Sequence, residues 1–165
     1  RFLRDAGASL FVTDIDRERV LRVVEEFDAE AVAPDAIYDV EVDVYAPCAL
    51  GATVDDATIP RLRAQIIAGA ANNVLAEPRH GHELHEREIL YAPDYVINAG
   101  GLISVYGEVQ GWTRERAMRQ ARGIHGTLLR LFELSRSEGI PPHEAADRIA
   151  EQRIAAVGAL QRMRV

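Results

Sequence analysis

The chain has no lysine: all 19 of its basic residues are arginine. A lysine Schiff base, a lysine general base and a lysine phosphate clamp are therefore excluded from these 165 residues. The one cysteine, Cys48, rules out an internal disulfide and makes a reducing, cytoplasmic compartment the expected setting. No apolar stretch approaches the ~20 residues that a membrane-spanning helix needs, and the N-terminus shows neither the basic start nor the small-residue cleavage site of a signal peptide. A net charge of -7 without a basic stripe argues against nucleic acid as a partner. What remains is an ordinary globular composition, 48% hydrophobic and 27% charged, enough for one domain with a real core.

Patterning along the chain predicts alternating helices and strands. Arg1 to Ala6, with Gly7 after them, fits the last turn of a helix that leads into the apolar run Ser9 to Thr13. Asp16 precedes Val20, Val23, Val24 and Phe27 at helical spacing, and Ala31 to Ala33 is a short strand stopped by Pro34. Further strands are expected over Val42 to Ala46, ended by Pro47, over Gln65 to Ala70, and over Leu90 to Ala92, with Tyr95 to Ala99 as its continuation or a turn. A short helix near Ile59 to Leu62 links two of them. Strands joined this way imply right-handed crossovers and a parallel sheet.

From Gly100 the chain turns helical. Segments are expected from Leu102 towards Gln110, from Arg114 to about Glu138, and from Pro142 to about Met163, with Gly139-Ile140-Pro141-Pro142 as the break between the last two. The fold class read from these elements is α/β: a doubly wound, Rossmann-like parallel sheet over residues 1–99, followed by a helical extension over 100–165.

The same sheet lacks a beginning. In a dinucleotide-binding unit, a Gly-x-Gly-x-x-Gly turn lies about 20 residues ahead of the acid that holds the ribose hydroxyls. Asp14, at the end of its strand, is placed to be that acid, yet no such turn precedes it. The expectation is a nucleotide-binding fold truncated at its N-terminus, with its first strand and phosphate loop upstream of Arg1. A carboxylate there favours NAD over NADP, although Arg17 nearby keeps a 2′-phosphate in play.

Asn98-Ala99-Gly100-Gly101 is the second candidate element. Two glycines permit close approach of a ligand to the backbone, and the Asn98 amide both donates and accepts. The alternative is a tight turn capped by asparagine. Leu102 and Val105 follow on one helical face, either as core or as an apolar pocket wall beside Asn98. His80, His82 and His85 match no trusted zinc spacing, so no metal is expected. Cys48 has no visible activating base and reads as a small buried residue lining a nucleotide cleft.

Several ordered blocks carry a resemblance: Val12-Thr13-Asp14-Ile15-Asp16, Ala46-Pro47-Cys48-Ala49-Leu50-Gly51, Ala68-Gly69-Ala70-Ala71-Asn72-Asn73, Glu77-Pro78-Arg79-His80-Gly81, Tyr91 through Gly101, and Ala145-Ala146-Asp147-Arg148. Together they resemble the C-terminal, NAD-binding portion of the leucine, valine and phenylalanine dehydrogenases, within the glutamate dehydrogenase superfamily. The resemblance implies that Asp14 and Ile15 meet the adenosine ribose, that Cys48 and Ala49 line the cofactor cleft, and that Ala71 and Asn72 lie by the nicotinamide ribose. Asn98 would hold the nicotinamide side and the substrate's amino or keto group. Leu102 and Val105 would line the substrate pocket, and Val105 stands where glutamate-specific relatives carry serine. It also makes the His80 to His85 segment a loop without metal.

The implied reaction is reversible oxidative deamination of an apolar L-amino acid, leucine favoured, to the 2-keto acid and ammonia, with NAD as cofactor. In the family two lysines and an aspartate of an N-terminal domain bind the carboxylate and move protons. This chain has no lysine, so it is expected to be inactive alone, and the implied full-length protein is a homo-oligomer with no membrane partner. Two other readings stand beside this one: a non-catalytic NAD-binding or structural remnant of the fold, and a different NAD-dependent dehydrogenase.

Overall fold

The computed structural model describes residues 1–162. It is an α/β protein in which every strand pairing is parallel. A short α1 (Phe2–Asp5) leads through Gly7, at φ 88°, into β1 (Phe11–Val12). Next come α2 (Arg17–Phe27) and β2 (Glu30–Ala31), which pairs with β1 in a two-stranded ladder. The Asp16 side chain caps α2 by accepting from the Glu18 and Arg19 amides at 3.0 and 3.3 Å.

A second ladder runs in the order β3 (Val44–Tyr45), β4 (Ile66–Ile67), β5 (Leu90–Tyr91). These strands are shorter than the apolar runs predict, and the cause is visible at their ends. Pro47 has no N–H to continue the ladder. Gly69 packs directly on Pro47, so that a Cβ there would collide with the proline carbonyl oxygen. Chain crossing at this closeness needs glycine, and pairing stops where it occurs. The Ala31 to Ala33 strand likewise starts and ends earlier, at Glu30 and Ala31.

Val54, Ile59, Leu62, Ile67, Ala71, Val74, Leu84, Ile89 and Tyr91 form the core under this ladder. Leu84 belongs to α3 (Arg79–Glu86), which corrects the expectation of a loop across His80 to His85. The segment is polar, but His80, Gly81 and Leu84 fall on one buried face, and burial of that face settles the helix. Of the two readings of Tyr95 to Ala99, the strand is corrected: Asp94–Ile97 form one helical turn, α4, and Asn98 and Ala99 form a turn after it.

The remainder is helical, as the sequence predicts: α5 (Gly100–Val109), α6 (Arg114–Glu138) and α7 (Pro142–Arg162). Thr113 caps α6, and Gly139 ends it at φ 63°. The expected end of the last helix at Met163 lies outside the described residues. Leu131 of α6 packs on Ala145 and Ala146 of α7, with Val96, Phe132 and Ile140 around them. Among the described residues no helix is long and apolar enough to cross a membrane.

One polar network ties the loop before Ile59 to the start of α3. Arg79 holds both carboxylate oxygens of Asp56, at 2.7 and 2.6 Å, and its Nε donates to Glu77 at 2.8 Å. Hydrogen bonding from Arg79 pulls the Asp56 carboxyl from its ordinary 3.8 to about 2. A depressed carboxyl stabilises the fold above its unfolded value, and that contribution disappears as the pH falls through the folded value. Asp56→Asn is therefore expected to lower Tm at neutral pH, and the gap from the parent should close between about pH 4 and 2. A gap that stays constant across that range, in thermal scans against pH, would remove the ion pair from the account.

Candidate active site

The candidate cofactor residues sit beyond the C-terminal ends of strands, Asp14 and Ile15 after β1, Cys48 and Ala49 after β3, Ala71 and Asn72 after β4, Asn98 after β5 and α4, whereas Leu102 and Val105 lie in α5. Open parallel sheets bind ligands at this edge. Three of the candidates meet directly. The Asn98 Nδ2 donates to Asn72 Oδ1 at 2.6 Å and to the Ala71 carbonyl at 3.3 Å. With both amide hydrogens occupied, the Asn98 oxygen is left as an acceptor.

The loop after β3 closes on the same group. The Ala71 amide donates to the Pro47 carbonyl at 2.9 Å, and the Ala52 amide to the Asn73 carbonyl at 2.6 Å. A Cβ at Gly51 would lie 2.5 Å from the Asn72 carbonyl oxygen, so only glycine permits this contact. Asn73 and Ala52 both adopt positive φ, 52° and 54°, the two strained non-glycine positions of this pair of loops. Cys48 is exposed, which corrects its reading as a buried residue: Pro47 takes the buried position and the next side chain points outward. Ala49 is exposed beside it.

Asp14 is exposed at its strand end, with one carboxylate oxygen accepting from the Asp16 amide at 2.9 Å. Its second oxygen stays available to a ligand. Ile15 next to it is 97% exposed. No hydrogen bond joins Asp14 to the Asn72–Asn98 group among the described residues. Leu102 and Val105 of α5 are 74% and 60% exposed, which removes the reading of these two as core. They do not line the groove of about 450 Å³ between α5 and α6, whose walls include Gly100, Ile103, Trp112 and Met118.

One residue at this site escaped the sequence reading. Asp94, buried at the start of α4, accepts from the Val74 amide at 2.7 Å and the Tyr95 amide at 2.7 Å. It thereby ties the chain beyond Asn72 to the helical turn that presents Asn98, whose own amide donates to the Asp94 carbonyl at 2.9 Å. An acid at the first position of a helix is a usable signal, but its long-range partner is not in the local pattern. Asp94→Asn turns one acceptor oxygen into a donor that faces an N–H. The expected cost is about 1–3 kcal/mol, read as a drop in unfolding free energy. A variant as stable as the parent would show that Asp94 does not hold the site together.

The three histidines of α3 do not converge. His80 is buried; its Nδ1 accepts from the Glu77 amide at 3.0 Å, so Nε2 carries the hydrogen facing Asp56 at 3.3 Å. Both nitrogens are committed. His82 points instead towards α7, against Glu144 and His143.

Comparison with known proteins places the chain in a family. The pattern of the glutamate/leucine/phenylalanine/valine dehydrogenases matches residues 9–161. The chain is 56% identical over 154 residues to the leucine dehydrogenase of Bacillus subtilis (strain 168), covering 93% of this chain and 42% of that protein. It is 48% identical over 155 residues to an L-tryptophan dehydrogenase of Nostoc punctiforme, covering 93% and 44%. The crystal structure of L-tryptophan dehydrogenase from Nostoc punctiforme superimposes with a TM-score of 0.93 at 46% identity, over 94% of this chain and 47% of that one. The chain thus spans less than half the length of the curated relatives it matches. It belongs to the glutamate/leucine/phenylalanine/valine dehydrogenase family.

Proposed function

We propose that these residues form the cofactor-binding part of an NAD-dependent dehydrogenase that oxidatively deaminates an apolar L-amino acid, leucine favoured, to the 2-keto acid and ammonia. The observation that carries the proposal is the Asn98 amide, which joins the segments after β4 and β5 through Asn72 and Ala71 and leaves an acceptor oxygen. The parallel ladders are read as part of a doubly wound, Rossmann-like fold, in a protein of the cytoplasm.

The donor set fits the adenosine and nicotinamide ends of NAD. The free oxygen of Asp14 suits a ribose hydroxyl, the open face of Ile15 suits an adenine ring, and the exposed residues Cys48 and Ala49 would line the cleft. Gly-x-Gly-x-x-Gly spacing does not occur in the 165 residues, so the diphosphate would need other polypeptide. Bound NAD would supply the hydride acceptor for the substrate Cα–H. Asn98 would hold the substrate's amino group through its free acceptor oxygen; after hydride transfer, water would hydrolyse the imine, its oxygen becoming the keto oxygen and the nitrogen leaving as ammonia. Leu102 and Val105 would form one apolar wall for the side chain. Carboxylate binding and proton transfer, which the family assigns to lysines and an aspartate, would come from outside this chain, as would the contacts that assemble a homo-oligomer.

The cofactor half of the proposal is tested by Asp14→Ser in the full-length protein. Losing a charge-assisted hydrogen bond is worth roughly 1.5–3 kcal/mol, or about one to two orders of magnitude in kcat/KM for NAD. NADP should lose little, because repulsion of its 2′-phosphate is also removed. A parent that prefers NADP, or a variant unchanged with NAD, would refute the role of Asp14.

A further inference from the structure

A different cluster lies where α3 meets α7. His82 of α3 is in contact with Glu144 in the first turn of α7, Nε2 to Oε1 at 3.1 Å. Its ring meets that of His143 edge-on, with centroids 5.2 Å apart. One ligand atom from each of His82, His143 and Glu144 falls within 4.8 Å of the other two.

We propose that His82, His143 and Glu144 form a binding site for a divalent transition metal ion, zinc being the simplest occupant, that clasps α3 to α7. Two imidazoles and one carboxylate are the donor set that such ions take from proteins, with the remaining positions left to water. Binding would draw these three atoms from that spacing to the ~2.0–2.2 Å that zinc keeps from nitrogen and oxygen.

The helices are built to meet here. Gly81, immediately before His82, has no Cβ, and the His143 ring occupies the space a Cβ would take. The Tyr95 hydroxyl lies 3.2 Å from the His143 carbonyl and 3.1 Å from Asp147 Oδ1, which pins the first turn of α7. Burial first, and then Asp147, raise the Tyr95 phenol, so it stays a donor. His143 Nδ1 is buried without a hydrogen-bond partner, an orphaned atom in a cluster otherwise open to solvent at His82. An ion-paired surface would need only His82 and Glu144. The half-buried second imidazole is what a metal site adds.

The test is titration of the full-length protein and its variants with zinc alone, against a competing chromophoric chelator, together with thermal scans. The parent should bind one ion and, at hundredfold excess over Kd, gain roughly 5–10 °C in Tm, since an ion that binds only the folded state stabilises it. His82→Ala removes an exposed side chain and Glu144→Gln replaces a half-buried one by a group of the same shape, so both should fold. Each should weaken binding by at least about tenfold, the smallest loss seen even for groups one step from a metal. His125→Ala and Cys48→Ser should bind as the parent does. His143→Ala risks the helix packing and is not needed for the decision. Absence of one-ion binding in the parent, unchanged binding in His82→Ala, or loss that follows Cys48 would overturn the site.

Discussion

Asn98→Ala in the full-length protein is expected to lower kcat/KM by about 10²–10³-fold, the loss typical of removing one group aimed at the reacting centre. The side chain has two duties that alanine cannot perform. Its Nδ2 fixes Asn72 and the Ala71 carbonyl, and its oxygen faces the place proposed for the substrate's nitrogen. Tm should move little, because the bond to Asn72 is exposed and the backbone bond to the Asp94 carbonyl does not depend on the side chain. Steady-state kinetics beside a thermal scan checks both parts. A large Tm loss with kcat intact would make Asn98 the cap of a turn and nothing more.

Leu84→Ala is expected to cost 2–5 kcal/mol, a figure general to buried leucines that lose their side chain. Leu84 is fully buried on α3 and packs in the core with Ile59, Ile67, Ile89 and Tyr91, under the strands that carry the candidate site. For a chain of this length the loss corresponds to roughly 4–20 °C in Tm. Leu102→Ala provides the contrast. Its side chain is 74% exposed, so its stability change should stay within about 0.5 kcal/mol while kinetics with branched substrates change. Equal destabilisation by both variants would place Leu102 in a core that the structure does not show.

The elements that were legible in the sequence are those with local causes. Asp16 marks the start of a helix, and Gly139 with Pro142 marks a stop and a restart; the structure shows each of these in place. Strand lengths were misread because an apolar run records burial, whereas pairing ended at Pro47 and at the contact of Gly69 with it. The helical state of α3 was hidden because only three of its eight residues are buried. Asn72 and Asn98 could be singled out from their blocks, but their direct bond could not. Asp94 works on Val74, 20 residues away in sequence, and only folding reveals that pairing. His82 and His143 meet because Gly81 lets α7 come close, a tertiary fact with no trace in either segment alone.

The most direct test of the central claim is the initial rate of NADH formation by the full-length protein, with NAD and a panel of L-leucine, L-valine, L-phenylalanine, L-tryptophan and L-glutamate. The account predicts turnover with the apolar amino acids, leucine foremost, and little with glutamate, whose charged side chain would meet the apolar faces of Leu102 and Val105. A rate highest with glutamate, or no NADH from any apolar amino acid, would contradict it.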